Sequence, residues 1–396
     1  MNSKQPPTRA EQRSGDCQTG LDQAQRGGFA ALHGKRLAVL CNRAAVTRSG
    51  QPILDALALA PGLRLSCIYS PEHGAAVQAE AGEHVGSQHD GPVPVISLYG
   101  TRTHPSAAEL ASIDLFVVDL PDVGARYYTY MATMKACMTA CAEHGVPMLI
   151  LDRPNPLGGV TLEGAVATVF GSPVCCAPIP IRHGMTLGEI ARFFQTTFLA
   201  DTGLTLDVLT ARNWRRDSLF DACGLPWTPP SPNLPAFDNA LMYVGTCLFE
   251  GLNLNEGRGT ASPFLRCGAP WLKPERILAD LREPECAGVE LKPIGYTPRA
   301  IPGKAAHPRY RDTDCPGIEL RVTDRQAVRP LTTVWALIAA IRRHHAELEW
   351  SPFFDTLAGG PWLREQIQSG RPVGESLDRM REHRTTFDAA RPRLYA

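Results

Sequence analysis

Glu72 stands between Pro71 and His73 in the segment Ser70-Pro71-Glu72-His73-Gly74, directly after an apolar run. A carboxyl group fixed at the end of a strand by a proline and a turn has two readings. It can donate a proton to the leaving oxygen of a glycosidic bond, because an alkoxide leaves poorly at neutral pH and partial burial raises a carboxyl pKa into the working range. Alternatively, it can pin its loop by accepting backbone amide hydrogens. Two comparable segments, Asp122-Val123-Gly124-Ala125-Arg126 and Asp152-Arg153-Pro154-Asn155-Pro156, follow two other apolar runs. Carboxylates, arginines, histidines and aromatics around one cleft are the kit for splitting the glycosidic bond of an anionic sugar.

The elements that must carry these segments are short and uniformly apolar. Leu37–Cys41, Leu65–Tyr69, Val93–Leu98, Leu115–Leu120 and Val146–Leu151 lack the alternation of half-exposed strands and read as strands covered on both faces of a parallel sheet. After Arg126, the residues Tyr127, Tyr130, Met131, Met134, Cys137, Met138 and Cys141 recur at helical spacing, and Gly145 is placed for a left-handed cap. A second helix is predicted from Thr186, where Thr186 and Glu189 make a capping-box pair. The first half is therefore expected to be an open α/β sheet with right-handed crossovers, in which ligands gather at the carboxyl ends of the strands. Proline-rich Leu225–Pro235 and glycine-rich Asn255–Thr260 mark a change of character. Beyond them, strands near Val289–Tyr296 and Ile318–Thr323 and a helix over Leu331–Ala346 point to a smaller α+β unit. The boundary is placed near 248, giving domains of 31–248 and 249–396 after a disordered polar tail of 1–30.

Composition removes several function classes. Lys+Arg and Asp+Glu both total 40 of 396 residues, so the net charge is zero and the footprint of a nucleic-acid or polybasic membrane binder is missing. The positive charge is 34 Arg against 6 Lys, a choice compatible with bidentate capture of carboxylates, though biased genome composition gives the same ratio. The 12 cysteines contain no CxxC pair and read as buried small hydrophobes in a reducing compartment rather than as disulfides or a zinc site. No apolar run opens the chain and none reaches the ~18 residues of a membrane span, so a cytoplasmic location is expected. The first strand is followed by Cys41-Asn42-Arg43-Ala44-Ala45 rather than GxGxxG, and no P-loop occurs, which disfavours hydride and phosphoryl transfer.

The segments SPEHG (70–74), DVGARYYTYMATM (122–134), LDRPNPLGG (151–159), IPIRHGMTLGEIA (179–191), PWTPPSPN (226–233), FEGLNLNEGRGT (249–260) and PFLRCGAPW (263–271), with the terminal Pro392-Arg393-Leu394-Tyr395, together resemble the exo-acting β-N-acetylmuramidases of the NamZ type. The resemblance runs in order from about residue 35 to the end. It implies a Rossmann-like domain joined to a smaller C-terminal domain with a cleft between them. It also implies hydrolytic release of N-acetylmuramic acid from the non-reducing end of peptidoglycan fragments, a small-molecule substrate, with no cofactor, no metal and no obligate protein partner.

Carried over onto this chain, the glutamate of the family's PEHG motif is Glu72, the proposed catalytic acid. Glu256 in the NEGRGT loop is the candidate second carboxylate, its plainer reading being a loop carboxylate paired with Arg258; Asp122, Asp152 and Glu83 are rivals, and Glu189 is discounted as a helix cap. The lactyl carboxylate of the substrate asks for a cation, and Arg126, Arg153, Arg182 and Arg258 all lie in the shared motifs. His73 and His183 are placed to tune Glu72 or bind hydroxyls, Tyr128 or Trp227 to stack on a sugar face, and Asn155 and Asn233 to meet the N-acetyl group. Each of these side chains also has an ordinary structural role open to it. Pro121 stands where the family usually has glutamine, and Asn255 where it usually has serine. Two competing classes remain: a non-catalytic sugar or muropeptide binder, and a Ser or Cys hydrolase, against which Ser70 lacks the GxSxG elbow.

Overall fold

A computed structural model describes residues 17–83, 86–87 and 93–396 of the chain. Six strands, β1 (Arg36–Cys41), β2 (Arg64–Ser70), β3 (Val95–Ser97), β4 (Leu115–Asp119), β5 (Met148–Leu151) and β6 (Leu206–Leu209), form one sheet in the order β3-β2-β1-β4-β5-β6. Every pairing is parallel, with Leu37 opposite Leu115 and Val117 opposite Leu149. The order reverses between β1 and β4, the topological switch point of a doubly wound sheet.

Alternate residues explain why the strands carry so little polarity. Ala38, Leu40, Phe116, Val118, Met148 and Ile150 face one side, and Leu37, Val39, Cys41, Val117 and Leu151 the other. The second face is covered by α1 (Gly20–Arg26) through Leu21 and by α2 (Ile53–Ala58) through Ile53, Ala56 and Leu57. A short α3 (Ala107–Leu110) precedes β4. The first face is covered by α4 (Tyr130–Glu143) and α5 (Leu187–Phe198), whose buried Met131, Met134, Met138, Ile190 and Phe194 join its core. Gly145 is left-handed after α4 and Thr186 caps α5 with Glu189, both at the positions expected from the sequence.

Three differences from the sequence reading have physical causes. The 17–30 part of the polar tail is ordered: Thr19 and Asp22 form a capping box that starts α1, and the Gly20 amide donates to the Asp152 carbonyl at 2.6 Å. Any side chain at Gly20 would meet backbone atoms of Asp152 and Leu209 at 2.5 Å, so the segment is fixed by close approach to the sheet rather than by an apolar run. The first sixteen residues of that tail lie outside the described residues. Tyr127 and Tyr128 precede α4 instead of beginning it: Arg126 donates its amide to the Ile181 carbonyl at 2.8 Å, and the Tyr128 amide closes a separate turn on the Ala125 carbonyl at 3.0 Å. The strand β6 carried no signal, being four residues long and half exposed.

The C-terminal part holds an antiparallel sheet of β7 (Arg266–Gly268), β8 (Val289–Tyr296) and β9 (Cys315–Val322) in the order β7-β9-β8. Around it lie α6 (Phe237–Thr246), α7 (Pro274–Leu278), α8 (Pro330–His344), α9 (Pro352–Ala358), α10 (Trp362–Ser369) and α11 (Val373–Ala390). Helix α6 packs directly on α8, and one hydrophobic core runs from the first face of the large sheet through Tyr243, Cys267 and Ile318 to Trp335. The two parts therefore share a core and hold the cleft residues in fixed register. Among the described residues all cysteines are free and all but Cys286 are buried, and no helix is long and apolar enough to cross a membrane.

Candidate active site

At the switch point the crevice is nearly closed. Arg153 ion-pairs with the buried Asp119 at the end of β4 and donates to the Val46 carbonyl, leaving a small pocket of about 50 Å³ lined by Asp122, Arg153, Trp227 and prolines. The larger cavity lies beside it, over the carboxyl end of β2. Its volume is about 530 Å³, and Glu72, His73, Tyr128, Glu250 and Arg258 all line it. That size is within the ~300–1,000 Å³ of small-ligand sites.

Glu72 is held at both oxygens. Thr129 at the start of α4 donates its hydroxyl to Oε2 at 2.5 Å, and the Gly82 amide donates to Oε1 at 2.9 Å. His73 and Gly74 both have positive φ, 70° and 73°, which folds the loop back sharply after Pro71. A left-handed histidine is locally strained and persists because its surroundings hold it. Here the His73 ring Nδ1 lies 2.8 Å from the Ala79 carbonyl, so Nδ1 carries a proton and the neutral ring presents Nε2 as an acceptor. Burial lowers the His73 pKa, against the opposing pull of Glu72. Burial pushes the ionisation of the Tyr99 hydroxyl up, and the Glu72 carboxylate adds to the shift.

Across the cavity, Arg258 donates from Nη1 to Glu250 and to Glu256, each at 2.8 Å, with its guanidinium 4.9 Å from the Phe264 ring centre. Two carboxylates thus share one cation. Burial pushes the Glu250 carboxyl up, Glu256 adds to the shift, and Arg258 opposes it. Glu250 was not singled out from the sequence, although it stands in the FEGLNLNEGRGT segment eight residues before Arg258. It lines the cavity, whereas Glu256 is held behind Arg258.

Of the other candidates, Tyr128 lines the cavity but spends its hydroxyl on the Pro230 carbonyl at 2.8 Å. The remaining side chains are not in this cavity wall. Arg126 is fully buried and donates to the carbonyls of Ile179 (2.7 Å) and Leu357 (2.6 Å), the latter in the last turn of α9, where a cation is favourable. Arg182 pairs with Glu163 at 3.0 Å, and Glu163 in turn accepts from the Leu331 amide at the start of α8. Both arginines therefore tie the N-terminal loops to C-terminal helices. Asn155 makes a local turn with the Leu157 amide and donates to Met185. A Cβ at Gly124 would fall 2.4 Å from its Oδ1. Asn233 donates to the Lys304 carbonyl at 2.7 Å. His183 accepts from the Met185 amide at Nδ1 and turns Nε2 towards Asp122 at 3.6 Å, a buried pair beside the smaller pocket. Glu83 is exposed and caps the Glu80 amide, and Glu189 pairs with Arg216 at 2.6 Å.

Asp152 is also structural, and it carries a pH signature. It accepts from Thr186, the Gly188 amide, Tyr395 and the Arg153 amide, yet burial still pushes its carboxyl up to about 6. The folded pKa lies above the unfolded ~3.9, so the folded state holds the extra proton between the two values. Its favourable contribution is complete below the unfolded pKa and is lost as pH rises through about 6. Asp152→Asn removes this titration. Between pH 5 and 7.5 the wild type should lose about 1 kcal/mol more stability than the variant, read from urea midpoints at the two pH values. Parallel losses in the two proteins would refute the assignment.

Residues 37–238 match the family described as exo-beta-N-acetylmuramidase NamZ, N-terminal, and residues 241–396 match its C-terminal counterpart. The chain is 38% identical over 362 residues to the peptidoglycan beta-N-acetylmuramidase NamZ of Bacillus subtilis, covering 90% of this chain and 85% of that protein. Two solved DUF1343 family proteins of Bacteroides fragilis are similar in structure. One has a TM-score of 0.82 at 25% identity over 96% of this chain and 100% of that one; the other has 0.74 at 30% identity over 96% and 99%.

Proposed function

The chain belongs to the exo-beta-N-acetylmuramidase NamZ family, and from that premise we propose that it removes N-acetylmuramic acid from the non-reducing end of peptidoglycan fragments, with Glu72 as the proton donor. It is a glycoside hydrolase. The observation that carries the finer reading is the pairing, in one cavity, of a doubly anchored carboxyl group with a second carboxyl and an arginine. Glu72 gives its proton to the glycosidic oxygen as the bond from that oxygen to C1 breaks. Water then supplies the hydroxyl at C1 and returns a proton. Of the four candidate arginines only Arg258 lines this cavity, and it is the one assigned to the lactyl carboxylate. Both of its ion pairs are made through Nη1, which leaves the other donors of the guanidinium for that third carboxylate.

The test is product analysis on a disaccharide of N-acetylmuramic acid β-1,4-linked to N-acetylglucosamine. Both free sugars are expected, whereas calorimetric binding without turnover would make the protein a muropeptide binder. A matched N-acetylglucosamine glycoside should be cleaved far more slowly. Arg258→Lys keeps the charge but loses the planar fork, and should cut the preference for muramic acid by about tenfold while the thermal midpoint holds. Wild type that cleaves both glycosides equally would remove the role given to Arg258.

A further inference from the structure

A second cavity, of about 510 Å³, abuts the one that holds Glu72. Gly82, Tyr99, Thr129, Ser172 and Pro173 line both. Thr129 is the residue whose hydroxyl holds the Glu72 carboxylate at 2.5 Å, so the candidate proton donor sits at the junction of the two spaces. The floor of the second cavity is the face of α4 turned away from the sheet, where Ala132, Lys135, Ala136 and Thr139 recur at helical spacing opposite the buried methionines.

We propose that this groove is the subsite for the leaving sugar, a neutral N-acetylhexosamine ring, with Tyr99 as the platform at its entrance and Lys135 as its hydrogen-bond donor. The proposal rests on the glycosidase reading and adds where the aglycone lies. A glycoside spans its proton donor, with the sugar being released as the hemiacetal on one side and the leaving group on the other. Arg258 and Glu250 lie in the first cavity, which places the anionic ring there and directs the leaving group into the second. The groove's lining suits a neutral polar ring. Its helical floor is small side chains, and Lys135 is its charged member, anchored 2.8 Å from the Cys176 carbonyl and 3.6 Å from the Phe198 ring centre. Tyr99 is half-buried, which leaves part of it open to contact.

Ala136→Trp fills the groove from its floor, at a position that does not itself line the Glu72 cavity. On the muramic acid–glucosamine disaccharide its kcat/KM should fall by about tenfold or more, while the Ki of free N-acetylmuramic acid, which has no leaving group to seat in the groove, should stay within about threefold. Lys135→Met should raise KM severalfold for the disaccharide and leave that Ki unchanged. Disaccharide kinetics unaffected by either variant would overturn the proposal, as would equal losses in disaccharide turnover and in binding of the free sugar. A wild type that does not cleave the disaccharide would instead strike at the glycosidase reading.

Discussion

Glu72→Gln should lower kcat on the muramic acid–glucosamine disaccharide by about a thousandfold, the middle of the ~10²–10⁴ that a general acid contributes. The fold should survive, since the glutamine carbonyl can still accept from the Gly82 amide and the Thr129 hydroxyl can turn to accept from the new amide. A thermal midpoint within a few degrees of wild type is the control. The informative comparison is between leaving groups. A sugar alkoxide needs the proton as the bond breaks, and a nitrophenolate needs it much less. An acid's removal therefore costs far more on the disaccharide than on the 4-nitrophenyl glycoside of muramic acid, whereas loss of a nucleophile or base costs both alike. Glu250→Gln, compared in parallel, separates the two carboxyl groups of the cavity. Burial raises the Glu250 pKa, so that residue is the one to which the acid role passes if its variant, rather than that of Glu72, spares the aryl substrate. A folded Glu72→Gln protein with most of its activity on the disaccharide would end the assignment.

The parallel sheet was legible because β1, β4 and β5 bury both faces, which leaves no polar alternation to mislead. The candidate site was legible to the extent that chemistry and loop shape coincide. Glu72 and His73 sit where a proline, a left-handed turn and a strand end meet, and Arg258 lies in a glycine-rich loop that reaches the same cavity. The arginines misled for a physical reason. Arg126 and Arg182 stand in motifs as polar as that of Arg258, but their partners are carbonyls of Ile179 and Leu357 and the carboxylate of Glu163, all distant in sequence. Nothing local distinguishes an arginine that ties two halves together from one that faces a ligand. Glu250 was hidden in the opposite way. It follows Leu248 and Phe249 in a buried 3₁₀ turn, so its context reads as core, and only the fold brings it to Arg258.

Deleting residues 391–396 should destabilise the protein more than any single substitution named above. Those residues follow α11 at the C-terminal end and, apart from the pairing of Arg391 and Arg393 with Asp388, bind to the N-terminal half. Arg391 donates to the Gly184 carbonyl at 2.5 Å and the Gly159 carbonyl at 2.8 Å, the Leu394 amide to Glu189 at 2.8 Å, and the Tyr395 hydroxyl to Asp152 at 2.6 Å. The Tyr395 ring meets Trp214 edge-on at 4.9 Å. Hydrogen bonds to charged groups contribute ~1.5–3 kcal/mol each and an aromatic pair ~0.5–1.5 kcal/mol, so a loss of about 5 kcal/mol is expected. Against a typical stability of ~5–15 kcal/mol this brings the chain close to unfolding, and calorimetry should show a midpoint lowered by about 10 °C or more. Tyr395→Phe removes the hydroxyl's bond to Asp152 together with the one it accepts from the Ala211 amide at 2.9 Å, and the first of these sets the sign of its pH dependence. That hydroxyl lowers the Asp152 pKa against burial, so without it the carboxyl titrates higher still and its charged form becomes costlier to bury. The penalty of Tyr395→Phe must therefore grow from pH 5 to pH 8. A penalty that is constant over that range would mean that the hydroxyl does not stabilise the Asp152 carboxylate, and that its contribution comes through the Ala211 amide instead.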